Sequence, residues 1–200
     1  AVPPEWQDAI SIDPGLNNPL SAHWYCVDCD GNIYVVAEHF AAGKDVDFHA
    51  AAIKEISRRL GWKTDSRGRV RALIDSAANQ RTLASQKSVT ELFYERGILA
   101  DPNVDKDVFS GVSRVKSYLC SGNGSPDIFV FSTCVNMIEE FRGYTWGAGD
   151  APVKRDDHCM DELRYYVMSR PEAPKRTESV SPIAADKLRR IKSKRKRCIQ

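Results

Sequence analysis

Apolar and polar positions change period several times along the chain. Near its start Ala9-Ile10-Ser11-Ile12 is a short β-rich run ending on Asp13, where Pro14 removes a ladder donor and Gly15 permits a sharp turn. Two longer β-rich runs, 22–29 and 33–40, flank Asp30-Gly31 and predict a hairpin. The period then lengthens. Phe48, Ala52, Ile53, Ile56 and Leu60 recur at three-and-four spacing, which predicts a helix over 47–60 stopped by Gly61. Residues 70–75 form a second strand that ends, like the first, on an aspartate, Asp75, followed by small residues.

Helices are expected over 88–96, with Gly97 as the stop, and over 107–119, with Val112, Val115 and Leu119 on one face. Residues 127–131 read as a short strand and 135–141 as a helix, and 143–155, with its three glycines and one proline, suits a hairpin or ordered loop. The last periodic segment begins at Asp156, and its Cys159, Met160, Leu163, Tyr166 and Val167 define a buried stripe. Beyond Arg170 the pattern fails: prolines, Ser, Thr and charges read as a linker and flexible basic tail. The expected division is therefore a folded domain over 1–170 and a tail over 171–200.

Composition supports one domain. A hydrophobic share of 42% in 200 residues can build a core without disulfides. No apolar run approaches a membrane span and no signal peptide is visible, so a soluble, intracellular protein is expected. Cys26 and Cys29 form a Cys-x-x-Cys in a strand-like run, where odd spacing puts them on opposite faces; free thiols are the expectation rather than zinc ligands. Net charge is +2, but residues 175–200 carry +8 and the rest −6. An acidic body and a basic tail need separate explanations.

Two strands ending in Asp13 and Asp75, joined by a hairpin and one helix, can lie side by side and parallel, with their carboxyl ends on one sheet edge. In the acidic segment Asp157, His158 and Asp161 lie three and four apart, so they converge on one point, and Asp161 can reach the same edge. Carboxylates gathered there repel one another unless a cation neutralises them, and hard oxygen ligands suit Mg2+ or Mn2+. Two such ions, about 3.5 to 4 Å apart, can support in-line displacement at a phosphodiester. Each acid also has a plainer reading. Asp13 can be a turn former, Asp75 a helix cap, and Asp156 and Asp157 partners of a helix dipole. No phosphate-binding loop of the Gly-x-x-x-x-Gly-Lys-Ser/Thr type occurs.

The order of elements resembles the ribonuclease H-like superfamily, an α/β fold with a mixed sheet of one antiparallel hairpin and parallel strands, flanked by helices. The residues resemble the nuclease domain of the large terminase subunit of tailed bacteriophages. The matching segments are Ile12-Asp13-Pro14-Gly15, the hairpin ending near Glu38, Leu73-Ile74-Asp75, Gly111-Val112-Ser113-Arg114-Val115, the run from Cys134 to Glu140 with Tyr144-Thr145-Trp146, and the run from Asp157 to Tyr165. The resemblance implies a metal-binding triad of Asp13, Asp75 and Asp161, with His158 as an accessory group beside the metals and Asp157 as a further outer ligand. Glu162 stands where the family often has alanine and would place another acid near the site; Glu38 is a possible extra ligand, or an exposed strand residue.

The implied activity is metal-dependent endonuclease cleavage of double-stranded, concatemeric viral DNA during genome packaging, in the cytoplasm of an infected bacterium at the procapsid portal. The portal protein and the small terminase subunit are the implied partners, and the amino-terminal ATPase of a full large subunit is absent from these residues. Because phosphate contacts need Lys or Arg, Arg81, Lys87, Arg114, Lys116, Lys154 and Arg155 are the candidates for holding DNA, with the tail as a collective contact for DNA or the portal. The rival readings are a Holliday-junction resolvase-like nuclease on the same fold and a non-catalytic DNA- or portal-binding module.

Overall fold

Side chains alternate across the strands, and here that alternation divides the core into two layers on either side of one sheet. The computed structural model describes residues 2–15, 18–81, 86–120, 124–149 and 151–170; the expectations for the linker, the basic tail and Cys198 lie outside these residues. The strands are β1 (Gln7–Asp13), β2 (Leu20–Val27), β3 (Ile33–Ala41), β4 (Val70–Ile74), β5 (Ile98–Asp101) and β6 (Ile128–Val130), in the spatial order β5-β4-β1-β2-β3-β6. The pairs β1–β2 and β2–β3 are antiparallel, while β1–β4, β4–β5 and β3–β6 are parallel. The sheet is thus mixed, as the order of elements predicts.

One face buries Ile10, Ile12, Ala22, Trp24 and Ile74 with Ala50 and Ile53 of α1 (Val46–Leu60) and Phe93 of α2 (Val89–Glu95). The other buries Tyr25, Ile33 and Val35 beneath α3 (Val108–Leu119), α4 (Val135–Gly143) and α5 (His158–Ser169), which contribute Val115, Met137, Met160, Leu163 and Tyr166. Tyr25 of β2 stacks on Tyr166 of α5 with ring centroids 3.7 Å apart, fixing the last helix over the centre of the sheet. Three helix starts carry local caps: Asp45 accepts from the Phe48 N–H, Ser88 and Glu91 form a capping box, and Asp107 accepts from the Ser110 N–H.

Several expectations change. Phe48 and Leu119 are 45% and 44% exposed rather than inward, because the inward stripes run through His49, Ala50 and Ile53 in α1 and through Val112, Val115 and Tyr118 in α3. The acidic helix starts at His158, not Asp156, whose φ of 49° lies in the left-handed region. Strand β5 has no counterpart among the sequence expectations, since four residues are too few to show a period. Cys26 is buried in β2 while Cys29 is exposed in the turn after it, so the two are not opposite faces of one strand. That turn is organised by Asp28, which accepts from the Asp30 and Asn32 N–H groups, each at 2.9 Å. Between α4 and α5 an antiparallel bridge joins Trp146 to Pro152. Among the described residues no helix is long and apolar enough to cross a membrane.

Candidate metal centre

Parallel pairing of Ile12 with Ile74 places Asp13 and Asp75 next to each other at the carboxyl edge of β1 and β4. Asp75 is held from three sides: Oδ1 accepts from the Ala77 N–H at 2.7 Å and from Lys106 Nζ at 2.7 Å, and Oδ2 accepts from the Tyr165 hydroxyl at 3.1 Å. It therefore caps the 3-10 turn after β4 and also faces α5. Asp13 lies 2.9 Å, through Oδ2, from Nδ1 of His158 at the start of α5. One turn on, Asp161 takes Arg164 Nη2 on Oδ1 at 2.5 Å and Lys154 Nζ on Oδ2 at 3.1 Å. Tyr165 lies within the field of all three acids: burial raises its phenol, and the charges of Asp13, Asp161 and Asp75 raise it further.

The electrostatics are those of crowded acids with borrowed cations. Burial pushes the Asp13 carboxyl above its ordinary range; the His158 hydrogen bond opposes this, and the charges of Asp161 and Asp75 reinforce it. His158 is raised in turn, chiefly by its bond to Asp13. Burial would also raise Asp75, but Lys106 and the Ala77 N–H outweigh it and hold that carboxyl low. The donor set, three carboxylates with one imidazole at the margin, fits a hard divalent cation, which would supply the charge that Lys106 and Lys154 now provide from the rim.

Lys154 is the one DNA-contact candidate that the described residues bring to this cluster; it lies 3.3 Å from Asp157 Oδ2 as well. Arg155 pairs with the neighbouring Asp156, Arg81 with Glu91, and Lys87 with Glu95. Arg114 donates to the carbonyl of Arg170 at the opposite end of α5, and Lys116 lies over the Trp146 ring, 5.5 Å from its centroid. Asp157 is buried and pairs only with Lys154 among the described ionic groups. Three contributors escaped the sequence reading. Lys106 and Tyr165 gave no signal. Arg164, 4% exposed through its side chain, lies under Gly111, where an added Cβ would come within 3.1 Å of its Cδ.

Glu162 and Glu38 belong elsewhere, which corrects both expectations. Glu162 points away from the three aspartates into the buried face, where Oε1 accepts from the Tyr25 hydroxyl at 2.7 Å and lies 2.7 Å from His23 Nδ1. Glu38 is not an exposed strand residue: its side chain is 6% exposed and accepts from the backbone N–H groups of Asn136 and Met137. Its Oε2 is 3.0 Å from His23 Nε2. His23, Glu38 and Cys159 also have donor atoms within 4.8 Å of one another, the spacing of a metal site. Burial would lower His23, but Glu162 and Glu38 outweigh it and raise the imidazole to about 9, while burial pushes the Glu162 carboxyl up as well. Burial also pushes the Cys159 thiol up, and both ring nitrogens of His23 face carboxylate oxygens.

Comparison with solved structures identifies the fold. The large terminase of a thermophilic bacteriophage, in complex with ADP, matches at a TM-score of 0.66 and 21% identity over 84% of this chain and 40% of that one. The P22 large terminase nuclease domain matches at 0.65 and 19% identity, over 84% of this chain and 83% of that one. The fold is that of large terminase nuclease domains. A third such domain, from bacteriophage SPP1 with bound Mn, matches at 0.51 and 17% identity, over 79% of this chain and 84% of that one. The chain spans about two fifths of the length of the ADP-bound terminase it matches. No protein-family model and no curated protein matches the chain.

Proposed function

We propose that the chain is a metal-dependent endonuclease that cuts double-stranded DNA, and that Asp13, Asp75 and Asp161 hold the metal. The observation that carries this reading is the convergence of three carboxylates from two strand ends and one helix on a single sheet edge, with Asp13 raised by burial and by the other two acids. The terminase nuclease fold and the Mn-bound state of the SPP1 domain support it. Asp13, Asp75 and Asp161 would hold a pair of Mg2+ or Mn2+ ions, whose chemistry there would be activation of water and a counter-charge for the leaving oxygen.

The chain's own groups do the aligning. His158 orients Asp13 through Oδ2, Tyr165 fixes Oδ2 of Asp75, and Arg164 fixes Oδ1 of Asp161. The two lysines at the rim, Lys106 and Lys154, can release their carboxylates to a cation and take phosphate oxygens instead. Asp157 would serve as an outer ligand, and Arg81, Lys87, Arg114, Lys116 and Arg155 as backbone contacts of little sequence preference. Packaging of concatemeric phage DNA at the portal, alongside an ATPase domain and a small subunit, is the setting this reading implies.

The test is cleavage of supercoiled plasmid with Mg2+, Mn2+ or EDTA, comparing the parent with Asp13→Asn. Cutting that requires metal and falls at least about a hundredfold in the variant is expected, since the substitution halves the oxygen donors at the centre of the cluster. Equal cutting by both proteins would sink the assignment.

A further inference from the structure

Helix α5 presents His158 and Asp161 to the metal edge, yet its amino terminus has no local cap, because the Asp157 side chain makes no capping hydrogen bond. Its free N–H groups at Cys159 and Met160 are instead taken by Glu140 of α4, whose Oε2 accepts them at 2.7 and 3.4 Å. Helix α4 also lacks a side-chain cap of its own. Glu38 of β3 supplies it, accepting from the N–H groups of Asn136 at 3.1 Å and Met137 at 2.8 Å. From Glu38 the path runs through His23 of β2, at 3.0 Å, and then 2.7 Å to Glu162, back on α5. The Ser11 hydroxyl of β1 donates to the carbonyl of Glu162 at 2.9 Å, two residues along the strand from Asp13. Sheet, α4 and α5 are thus closed into one buried polar ring.

A cap supplied from within a helix fixes only that helix's own end. A cap supplied from another helix fixes where the end lies along its axis and how it is turned. His158 and Asp161 flank the Cys159 and Met160 amides directly, so a shift of the capped turn moves both metal-facing groups together. The cap is also held at a cost that packing alone does not require. Glu140 is 6% exposed, and its Oε1 is buried without a hydrogen-bond partner among the described residues. Resting on the metal-centre reading above, we propose that Glu140 is a positioning residue of that centre: it sets the geometry of His158 and Asp161 by capping α5 from α4, with Glu38 and His23 anchoring α4 to the sheet.

The test measures Mn2+ binding by isothermal titration calorimetry on the full chain. It compares the parent with Asp13→Asn, Glu140→Gln, Glu140→Ala and Glu140→Asp, after far-UV circular dichroism shows each to be folded. Glu140→Gln keeps an acceptor for both amides and is expected to bind Mn2+ within about threefold of the parent. Glu140→Ala is expected to bind about tenfold more weakly, the scale of losing an outer partner of a metal ligand. Faster amide exchange at Cys159 and Met160 accompanies it. Where the alanine variant does not fold, Glu140→Asp withdraws the carboxylate by one methylene while keeping its charge, and is expected to weaken binding by at least about threefold. Mn2+ binding lost in Asp13→Asn but unchanged in Glu140→Ala or Glu140→Asp would overturn the positioning role alone. A parent that binds no Mn2+, or an Asp13→Asn variant that binds as well as the parent, would overturn the metal centre and the positioning role with it.

Discussion

Arg164 shows how a single residue serves both packing and charge. Its guanidinium is nearly buried, donates to Asp161, lies 5.7 Å from the Tyr165 ring centroid and leaves Nε without a partner among the described residues. Burial opposes its charge, and Asp161 outweighs burial to hold the guanidinium above its ordinary range. Replacing it with methionine retains much of the volume but leaves Asp161 with Lys154 as its one ion-pair partner among the described residues. Breaking one side of such a pair is expected to cost about 3 kcal/mol, read as a lower urea midpoint at unchanged slope. A midpoint equal to the parent's would show that the pair contributes nothing net. At this scale the sequence reveals the acids but not their partners. Asp13 and Asp75 are visible because each ends a strand, and Asp161 because it borders an apolar stripe. Lys106 and Tyr165 stand 31 and 90 positions from Asp75 and meet it only once the chain folds back, and no local pattern encodes that.

Among the elements, legibility follows the range of the interaction. The caps of α1, α2 and α3 lie within three residues of the amides they serve, so Asp45, Ser88 and Asp107 stand at readable positions. The caps of α4 and α5 do not: Glu38 is 98 positions from Asn136, and Glu140 is 19 from Cys159. Glu38 consequently resembled an exposed strand residue or a spare metal ligand. Its four hydrogen bonds, to His23, to Met137 and twice to Asn136, imply a different weight for its loss than for a local cap. Ser88→Ala is expected to cost about 1 kcal/mol. Glu38→Ala also leaves the His23 imidazole with Glu162 alone, and is expected to cost at least about 3 kcal/mol. Chemical denaturation of both variants checks the ranking, and a Glu38→Ala loss no larger than that of Ser88→Ala would mean that α4 holds its place without the cap.

Across the whole molecule, two buried histidines on adjoining positions of the sheet respond to pH in opposite senses. Burial lowers His39 to about 4, with the charges of His49 and His23 adding to it, so it stays neutral. His23 is raised to about 9, because Glu162 and Glu38 outweigh the burial that opposes its charge. Around His23 the ionisable neighbours are Glu38 and Glu162 on either ring nitrogen, with Tyr25 and Cys159 close to Glu162; burial pushes Glu162, Tyr25 and Cys159 all upward, and a raised Glu162 also makes stability fall as pH rises. A group raised in the fold stabilises it fully below its unfolded value near 6.5, and that contribution is lost as pH climbs through the folded value. Stability is therefore expected to fall between pH 6.5 and 9. His23 contributes at most about 3 kcal/mol to that fall, and His158, also raised, adds in the same direction. Urea titrations at pH 6.5, 7.5 and 8.5 on the parent, His23→Gln and His39→Gln separate the causes. The alkaline slope should flatten in His23→Gln and persist in His39→Gln, whose imidazole is neutral throughout that window. A parent whose stability rose over the same interval would mean that His23 sits uncharged between its two carboxylates, and the polar ring that ties α5 to the sheet would then lack the charge that closes it.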